Sequence, residues 1–268
     1  MRHIEEDYMA NISILKKYLP WGEDEDRYTL EEIVISMLLQ IEKNHLDRCL
    51  MHADTFLERI GYSRPKKEDY QWLDQIINNL CKRDCDDDYI FVSNNGEPVE
   101  TKPKNSIGVE VEYRFYKSAD GYISVRAIDV ENIREICKEN KFDFFTAVGV
   151  YMAICECSQW YKGFTNEGEC VGGYIGFVSK ANIAIKLNKS ETTINRYINM
   201  LESAKIIGVH HSDAWKSTNC YAIPCDDYLI DMSVKRMKNA QKEMEENSKE
   251  STKGITFGYH KKKYGGVC

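Results

Sequence analysis

The first 22 residues place apolar side chains at the spacing of one helix face. The apolar positions recur at steps of four, four, three and four residues, and they are Ile4, Tyr8, Ile12, Leu15 and Leu19. Residues three or four apart share a helix face, so this spacing predicts an N-terminal amphipathic helix over residues 1–22, ending at Pro20 and Gly22. The apolar stripe would pack on its own domain or act as a dimerisation arm, and the pattern leaves both open.

Residues 28–100 contain three helical stripes followed by a strand pattern. The first helix begins near Tyr28, the second runs from Met51 to Ile60, and the third covers residues 66–83. The stretch "YIFVS" then alternates apolar and polar residues, and "NNG" supplies a turn. Three helices followed by a strand and a turn is the order of a winged helix. We therefore predict a first winged-helix-like domain over residues 28–100.

Residues 107–128 carry two strand-like runs on either side of Ala119, Asp120 and Gly121. Asp-Gly between two such runs is typical of a hairpin turn. The pattern predicts a β-hairpin connection over these residues. It would be either the wing of the first domain or the opening sheet of the second.

Residues 129–226 include a stretch, Tyr174 to Val209, that repeats the order of predicted elements of the first domain. A helix capped by Asp129 and an apolar helix from Phe144 to Trp160 precede the strand-like "YIGFVS". Ser179 and Ser190 then occupy the N-cap positions of two short helices, and two further strands follow. We predict a second winged-helix domain here, then a helix over residues 227–248 and a disordered basic tail over residues 249–268. The predicted fold class is α+β, mainly α, with two winged-helix (helix-turn-helix) domains in tandem and small antiparallel β-hairpin wings.

The helix after Ser190 has one apolar and one polar side. Ile194, Ile198 and Leu201 share the apolar face, and the opposite face carries short polar, amide and guanidinium groups, which hydrogen-bond base edges and phosphates. The predicted DNA-binding residues are Lys180, Lys189, Ser190, Glu191, Thr192, Asn195, Arg196, Asn199, His211 and Lys216. The last two belong to the wing. The alternative is that this pattern only builds a packed three-helix core for protein contact, with Ser190 acting as a helix cap.

Charge separates the two ends of the chain, whose formal net charge is -7. Residues 180–268 contain 15 Lys and Arg against 10 Asp and Glu, which gives +5, and the remaining 21 against 33 give -12. Electrostatic contact with nucleic acid is therefore expected late in the chain. In the first domain, Arg64, Lys66 and Lys67 would favour a second DNA reader. Four aspartates within residues 84–88 would favour a dimerisation or partner-binding domain.

Composition and motifs narrow the function classes. The polar start "MRHIEEDYM" lacks the apolar core of a secretion signal, and the longest apolar run falls short of the ~20 residues that cross a membrane. We therefore expect a cytoplasmic protein without a membrane segment. Ten cysteines occur without a Cys-x2-Cys pair, which favours free thiols over a metal site. Phosphate-binding loops and hydrolase motifs are absent, so we expect no enzyme activity and no cofactor.

Residues 174–223 resemble the winged helix-turn-helix domains of plasmid and phage replication proteins. The resemblance lies in "YIGFVSKANIAIKLNKSETTINRYINMLESAKIIGVHH", which fits S-x-x-x-I-A-x-x-L followed by S-x-x-T-I-x-R-Y-I-x-x-L. It implies that Lys189, Thr192, Asn195 and Arg196 lie at the DNA groove. It also implies a replication initiator that binds double-stranded DNA, with host replication proteins and a homodimer as possible partners. A transcriptional regulator, and a protein-interaction module of a replisome or partition complex, remain alternatives.

Overall fold

The computed structural model describes residues 11–22, 27–43, 48–49, 52–82, 92–93, 98–101, 107, 109–110, 121–211 and 218–253. Within these ranges the chain is α+β and mainly helical, with small antiparallel sheets. Lys216 and the four aspartates of residues 84–88 lie outside the described residues, as do residues 1–10.

A strand occupies the start of the described chain, where the sequence predicted a helix. β1 (Asn11–Leu15) pairs antiparallel with β5 (Tyr122–Arg126), and a 3-10 turn, Lys16–Tyr18, follows it. Ile12 and Ile14 are both buried, as the two-residue period of a strand requires. The predicted helix over residues 1–22 is therefore wrong for residues 11–19. Asn-Ile-Ser-Ile fits a strand period as well as a helix period, and pairing with β5 decides between them.

The predicted hairpin over residues 107–128 is also corrected. β4 (Val109–Glu110) pairs with β2 (Arg48–Cys49) and β3 (Val92–Ser93), whereas β5 pairs with β1. The two runs thus belong to different sheets, and residues 111–120 between them lie outside the described residues. Gly121 has a positive φ of 73°, and its carbonyl oxygen accepts a hydrogen bond from the Lys16 amide at 3.2 Å. The pairing partners of β4 and β5 are therefore distant in sequence.

The first unit is built from three helices and a small sheet. α1 (Leu30–Glu42) begins at a capping box formed by Thr29 and Glu32. β2, α2 (Ala53–Arg59) and α3 (Lys67–Lys82) follow, and then β3 and β4. The sheet order is β2-β4-β3, which places the last strand between the first two.

The second unit has two more elements than the first, a helix at its start and a strand before the helix-turn-helix. α4 (Ala127–Asn140) precedes α5 (Phe144–Glu156), and β6 (Ser158–Phe164), β7 (Cys170–Ser179), α6 (Lys180–Leu187), α7 (Glu191–Ser203), β8 (Gly208–His211) and β9 (Thr218–Ile223) follow. The sheet order β6-β7-β9-β8 contains the first unit's arrangement, with β6 added at one edge. α5 ends four residues before the predicted end at Trp160, because the chain turns at Cys157 into β6.

Two details of the second unit differ from the sequence prediction. Arg126, and not Asp129, is the N-cap residue of α4, and the Asp129 carboxylate is buried where it accepts a hydrogen bond from Tyr151. α8 (Asp227–Lys253) extends beyond the predicted helix over residues 227–248, so residues 249–253 of the predicted disordered tail are helical.

α5 joins the two units. It is buried along nearly its whole length, and one cluster of buried apolar residues includes side chains from both units. A Cβ atom at Gly149 would lie 3.2 Å from Leu30 of α1 and 2.9 Å from Leu187 of α6. A side chain at position 149 would therefore require these two leucine side chains to shift.

Candidate nucleic-acid interface

α6 and α7 form a helix-turn-helix whose ends are fixed by side-chain caps. The Ser179 hydroxyl accepts a hydrogen bond from the Asn182 amide, and the Ser190 hydroxyl accepts one from the Thr193 amide, both at 3.1 Å. Asn188 closes α6 in the left-handed region, with a φ of 49°, a conformation that asparagine tolerates better than most residues. The turn between the helices is therefore set by the local sequence.

The apolar side of α7 is anchored in the core. Ile194, Ile198 and Leu201 are fully buried, and Tyr197 is 8% exposed. The Tyr197 hydroxyl accepts a hydrogen bond from the Asp143 amide at 3.2 Å, and burial raises the pKa of this phenol. These contacts fix the rotation of the helix about its axis and so decide which side faces outward.

The polar side of α7 is uncovered. Glu191, Thr192, Arg196 and Asn199 are exposed, and Asn195 is half-buried. The Lys180 ammonium donates a hydrogen bond to the Asn195 side-chain oxygen at 3.1 Å. The Arg196 guanidinium lies 5.5 Å from the centre of the Phe142 ring. These contacts hold the cationic side chains of Lys180 and Arg196 in place. We call the surface formed by the polar side of α7 and its neighbouring lysines, Lys180 and Lys189, the α7 face.

The α7 face includes most, but not all, of the residues predicted from sequence. Lys189 is exposed in the turn before α7, whereas the Ser190 hydroxyl is occupied as the cap. His211 lies at the end of β8, where its Nε2 is 3.4 Å from the Glu202 carboxylate. Lys216 lies outside the described residues. The structure thus brings Lys180, Lys189, Glu191, Thr192, Asn195, Arg196 and Asn199 together on one surface.

Lys186 is not available to the α7 face, although it belongs to the helix-turn-helix. Lys186, which lies in α6, forms an ion pair with Glu156, and its ammonium lies 5.4 Å from the centre of the Trp21 ring. It is therefore committed to a contact with other elements. The residues of the α7 face carry three cations, Lys180, Lys189 and Arg196, against the one carboxylate of Glu191, which gives the face a net charge of +2.

A groove beside α7 was not foreseen from the sequence. It has a volume of about 540 Å³ and lies between α7 and the end of α4. Arg196 and Asn199 line one side, and Ile136, Asn140 and Phe142 line the other. The end of α4 is therefore part of the candidate interface. Its sequence gave no signal because Asn140 and Phe142 carry no motif of their own.

Comparison with known proteins adds no assignment. No protein-family model matches this chain, and no curated protein matches it. Over the described ranges, no helix has the length and apolar character needed to span a bilayer. In the same part of the chain, no three His, Cys, Asp or Glu side chains cluster in a way that could hold a metal ion.

Proposed function

We propose that this protein binds double-stranded DNA in a sequence-specific manner through the α7 face. The observation that carries the proposal is the uncovered polar side of α7 on a helix whose other side is fully buried. A packed three-helix core alone would not require amide and guanidinium groups to line the exposed side. Such groups are the ones that read base edges in the major groove.

We further propose that both units are winged-helix domains. The first unit runs helix, strand, helix, helix, strand, strand, and the second unit repeats this order from α5 onward once β6 is set aside. Among these strands, β4 lies between β2 and β3, and β9 lies between β7 and β8. In this arrangement the third helix is the one that enters the groove, and the hairpin beside it is the wing. The strands β8 and β9 supply the wing of the second unit, with His211 at the end of β8.

The dimensions of α7 suit this role. Its 13 residues span ~20 Å, and the B-DNA major groove is ~12 Å wide and admits one helix. Asn195 and Asn199 would pair with adenine edges, and Arg196 with guanine or phosphate. Glu191 would accept a hydrogen bond from cytosine N4. Lys180 and Lys189, with the free amides at the start of α7, would meet the phosphate backbone.

In biological terms, we propose a cytoplasmic initiator of replication for a plasmid, phage or related mobile element, without catalytic activity. The support is the resemblance of residues 174–223 to the helix-turn-helix domains of such proteins, together with the repeated arrangement of elements in the first unit. Binding would mark an origin and recruit host replication proteins. A transcriptional regulator would use the same surface, and the position of the binding sites in the genome would separate the two roles.

A specific observation favours one competing function, a protein-interaction module of a replisome or partition complex. Ile185 of α6 is 78% exposed, and the groove beside α7 has apolar as well as polar walls. With a net charge of only +2, the α7 face would also accept a protein partner. Affinity for nucleic acid and its salt dependence distinguish this function from DNA reading.

Selection of bound duplexes from a random pool tests the proposal. The full-length protein should enrich a defined sequence, and log K for that duplex should fall against log salt with a slope of about -3 or steeper, since three cations contribute roughly 0.9 each. Equal affinity for selected and scrambled duplexes, or the absence of a salt slope, would support the protein-interaction module instead.

A further inference from the structure

The exposed side of α3 in the first unit carries side-chain amides at the same two helix positions as the α7 face. Gln71 and Gln75 are the fifth and ninth residues of α3, and Asn195 and Asn199 are the fifth and ninth residues of α7. Both glutamines are exposed. Their amides carry the same donor and acceptor groups as asparagine and pair with adenine N6 and N7 in the same way.

We propose that α3 is a second DNA-reading helix, that Gln71 and Gln75 contact base edges, and that α3 and α7 are held at a fixed separation. The proposal rests on the proposed function, since it assumes that α7 enters a major groove. It goes further by assigning a second groove to the first unit and by setting the spacing between the two half-sites.

Charge around the start of α3 is compatible with a duplex. Arg64, Lys66 and Lys67 are exposed there, and they oppose the carboxylates of Glu68 and Asp69. The Asp69 carboxylate accepts a hydrogen bond from the Lys66 amide at 2.7 Å, so it is engaged at the helix start. The local net charge is +1. Phosphate contacts by the three cations would position the helix without reading sequence.

Two other polar side chains of α3, Asp74 and Asn78, are engaged with the segment of residues 98–101. The Asn78 side chain both donates to the Val99 carbonyl oxygen at 2.8 Å and accepts from the Val99 amide at 2.7 Å. The Thr101 amide donates to the Asp74 carboxylate at 2.5 Å. This segment therefore contacts the side of α3 that carries Asp74 and Asn78, and the Asp74 carboxylate is engaged by the Thr101 amide. Gln71 and Gln75 stay uncovered.

Aromatic contacts connect α3 with α7 through residues 142–145. The rings of Trp72 and Phe145 have centres 6.0 Å apart, and those of Phe142 and Tyr197 have centres 5.1 Å apart. Phe144 and Phe145, whose ring centres are 5.9 Å apart, complete the connection. We call residues 142–145, with the rings packed against them, the aromatic belt.

The aromatic belt meets both helices at the same place. Trp72 is the sixth residue of α3 and Arg196 is the sixth residue of α7, and each contacts a ring of residues 142–145. Both helices therefore contact the same segment, residues 142–145. Because the two contacts are made by Phe142 and Phe145, which are three residues apart in the chain, we infer that the two helices lie within about one turn of B-DNA, ~34 Å, of each other. Asp143 lies within this segment, but its carboxylate caps α5 by accepting from the Thr146 amide at 2.8 Å.

A rigid connection has a measurable consequence for the DNA site. Two helices on a flexible linker would tolerate a change of spacing by a full helical turn, because the second helix could reach its half-site again. Two helices on one packed body would not. The site should therefore consist of two half-sites, separated by at most ~10 base pairs, whose spacing cannot be varied.

The test uses the full-length protein and a duplex selected from a random pool. We expect a footprint over two half-sites, and a loss of affinity when 5 base pairs are inserted between them. An insertion of 10 base pairs should not restore the affinity. Restoration by 10 base pairs would overturn the fixed separation, and unchanged affinity after both insertions would overturn the second reader.

Side-chain substitutions separate this proposal from the proposed function. Gln71→Ala combined with Gln75→Ala should lower affinity at least ~10-fold and restrict the footprint to one half-site, with an unchanged thermal unfolding curve. A matched control, Asn239→Ala with Gln241→Ala, removes two amides from α8 on the other side of the sheet and should leave affinity unchanged. If the α3 variant binds like the wild type, α3 is not a reader even though α7 is. If no duplex is bound by the wild type at all, the proposed function itself fails.

Discussion

Replacing Arg196 with alanine separates a role in DNA binding from a role in the fold. The side chain is exposed, and its single described contact is the Phe142 ring at 5.5 Å. A cation–π contact at an exposed site is worth about 0.5–1 kcal/mol, so the free energy of unfolding should fall by no more than that. Loss of a guanidinium that contacts a base edge costs about 1–3 kcal/mol of binding free energy, which is roughly 5- to 150-fold in Kd.

The assay is fluorescence anisotropy with a selected duplex at several salt concentrations. Arg196→Ala should weaken binding while the chemical denaturation curve stays nearly unchanged. Arg196→Lys keeps the charge but loses the planar fork of donors, so it should retain the salt slope and lose part of the specificity. Lys238→Ala, which removes one charge from the exposed surface of α8, is the matched control and should bind normally. A wild-type Kd for Arg196→Ala would refute the placement of α7 in the groove.

Three further predictions concern stability and thiol chemistry. Glu156→Gln should lower the free energy of unfolding by about 1–3 kcal/mol, measured by denaturant titration, because its carboxylate accepts from an indole and an ammonium at once; an unchanged titration midpoint would contradict this. Gly176→Ala should cost about 1–3 kcal/mol because its Cβ would collide with a backbone carbonyl oxygen, whereas Gly172→Ala in the same strand meets only an exposed indole ring at 3.1 Å and should cost less. Alkylation followed by mass spectrometry should modify exposed Cys170 before buried Cys137. Burial raises the pKa of Cys137 to about 12, so at pH 8 this thiol is protonated and should react only on unfolding. Equal alkylation rates at the two thiols would refute that reasoning.

Local signals predicted the helix-turn-helix well. Ser179 and Ser190 are the N-cap residues of α6 and α7, and each accepts the expected backbone hydrogen bond. The burial of Ile194, Ile198 and Leu201 follows directly from their spacing. These features depend on residues within one or two turns of each other, so a single sequence contains the necessary information.

Long-range pairing was not predictable in the same way. β1 and β5 form a sheet although about 110 residues separate them, and the residues of β1 fit a helix stripe as well as a strand. The Asp-Gly pair before β5 gave no information about which strands pair. Sheet partners are decided by packing between distant segments, which a local pattern cannot specify.

The extent of the site could be predicted only in part. The sequence identified the polar side of α7, but it gave no indication that Lys186 of the preceding helix is paired with Glu156. It also missed the groove formed with the end of α4, and the equivalence of Gln71 and Gln75 with Asn195 and Asn199. Each of these depends on how elements pack against one another and not on the residues of one helix.

The most direct test of the central claim is photo-crosslinking from a single exposed position on α7. A photoreactive side chain at Thr192, on the polar side of α7, should crosslink to a selected duplex and not to a scrambled one. The same side chain at Lys238 of α8 should not crosslink to either duplex. Crosslinking from Lys238 with none from Thr192, while the protein still binds the duplex, would contradict the claim that the α7 face binds DNA.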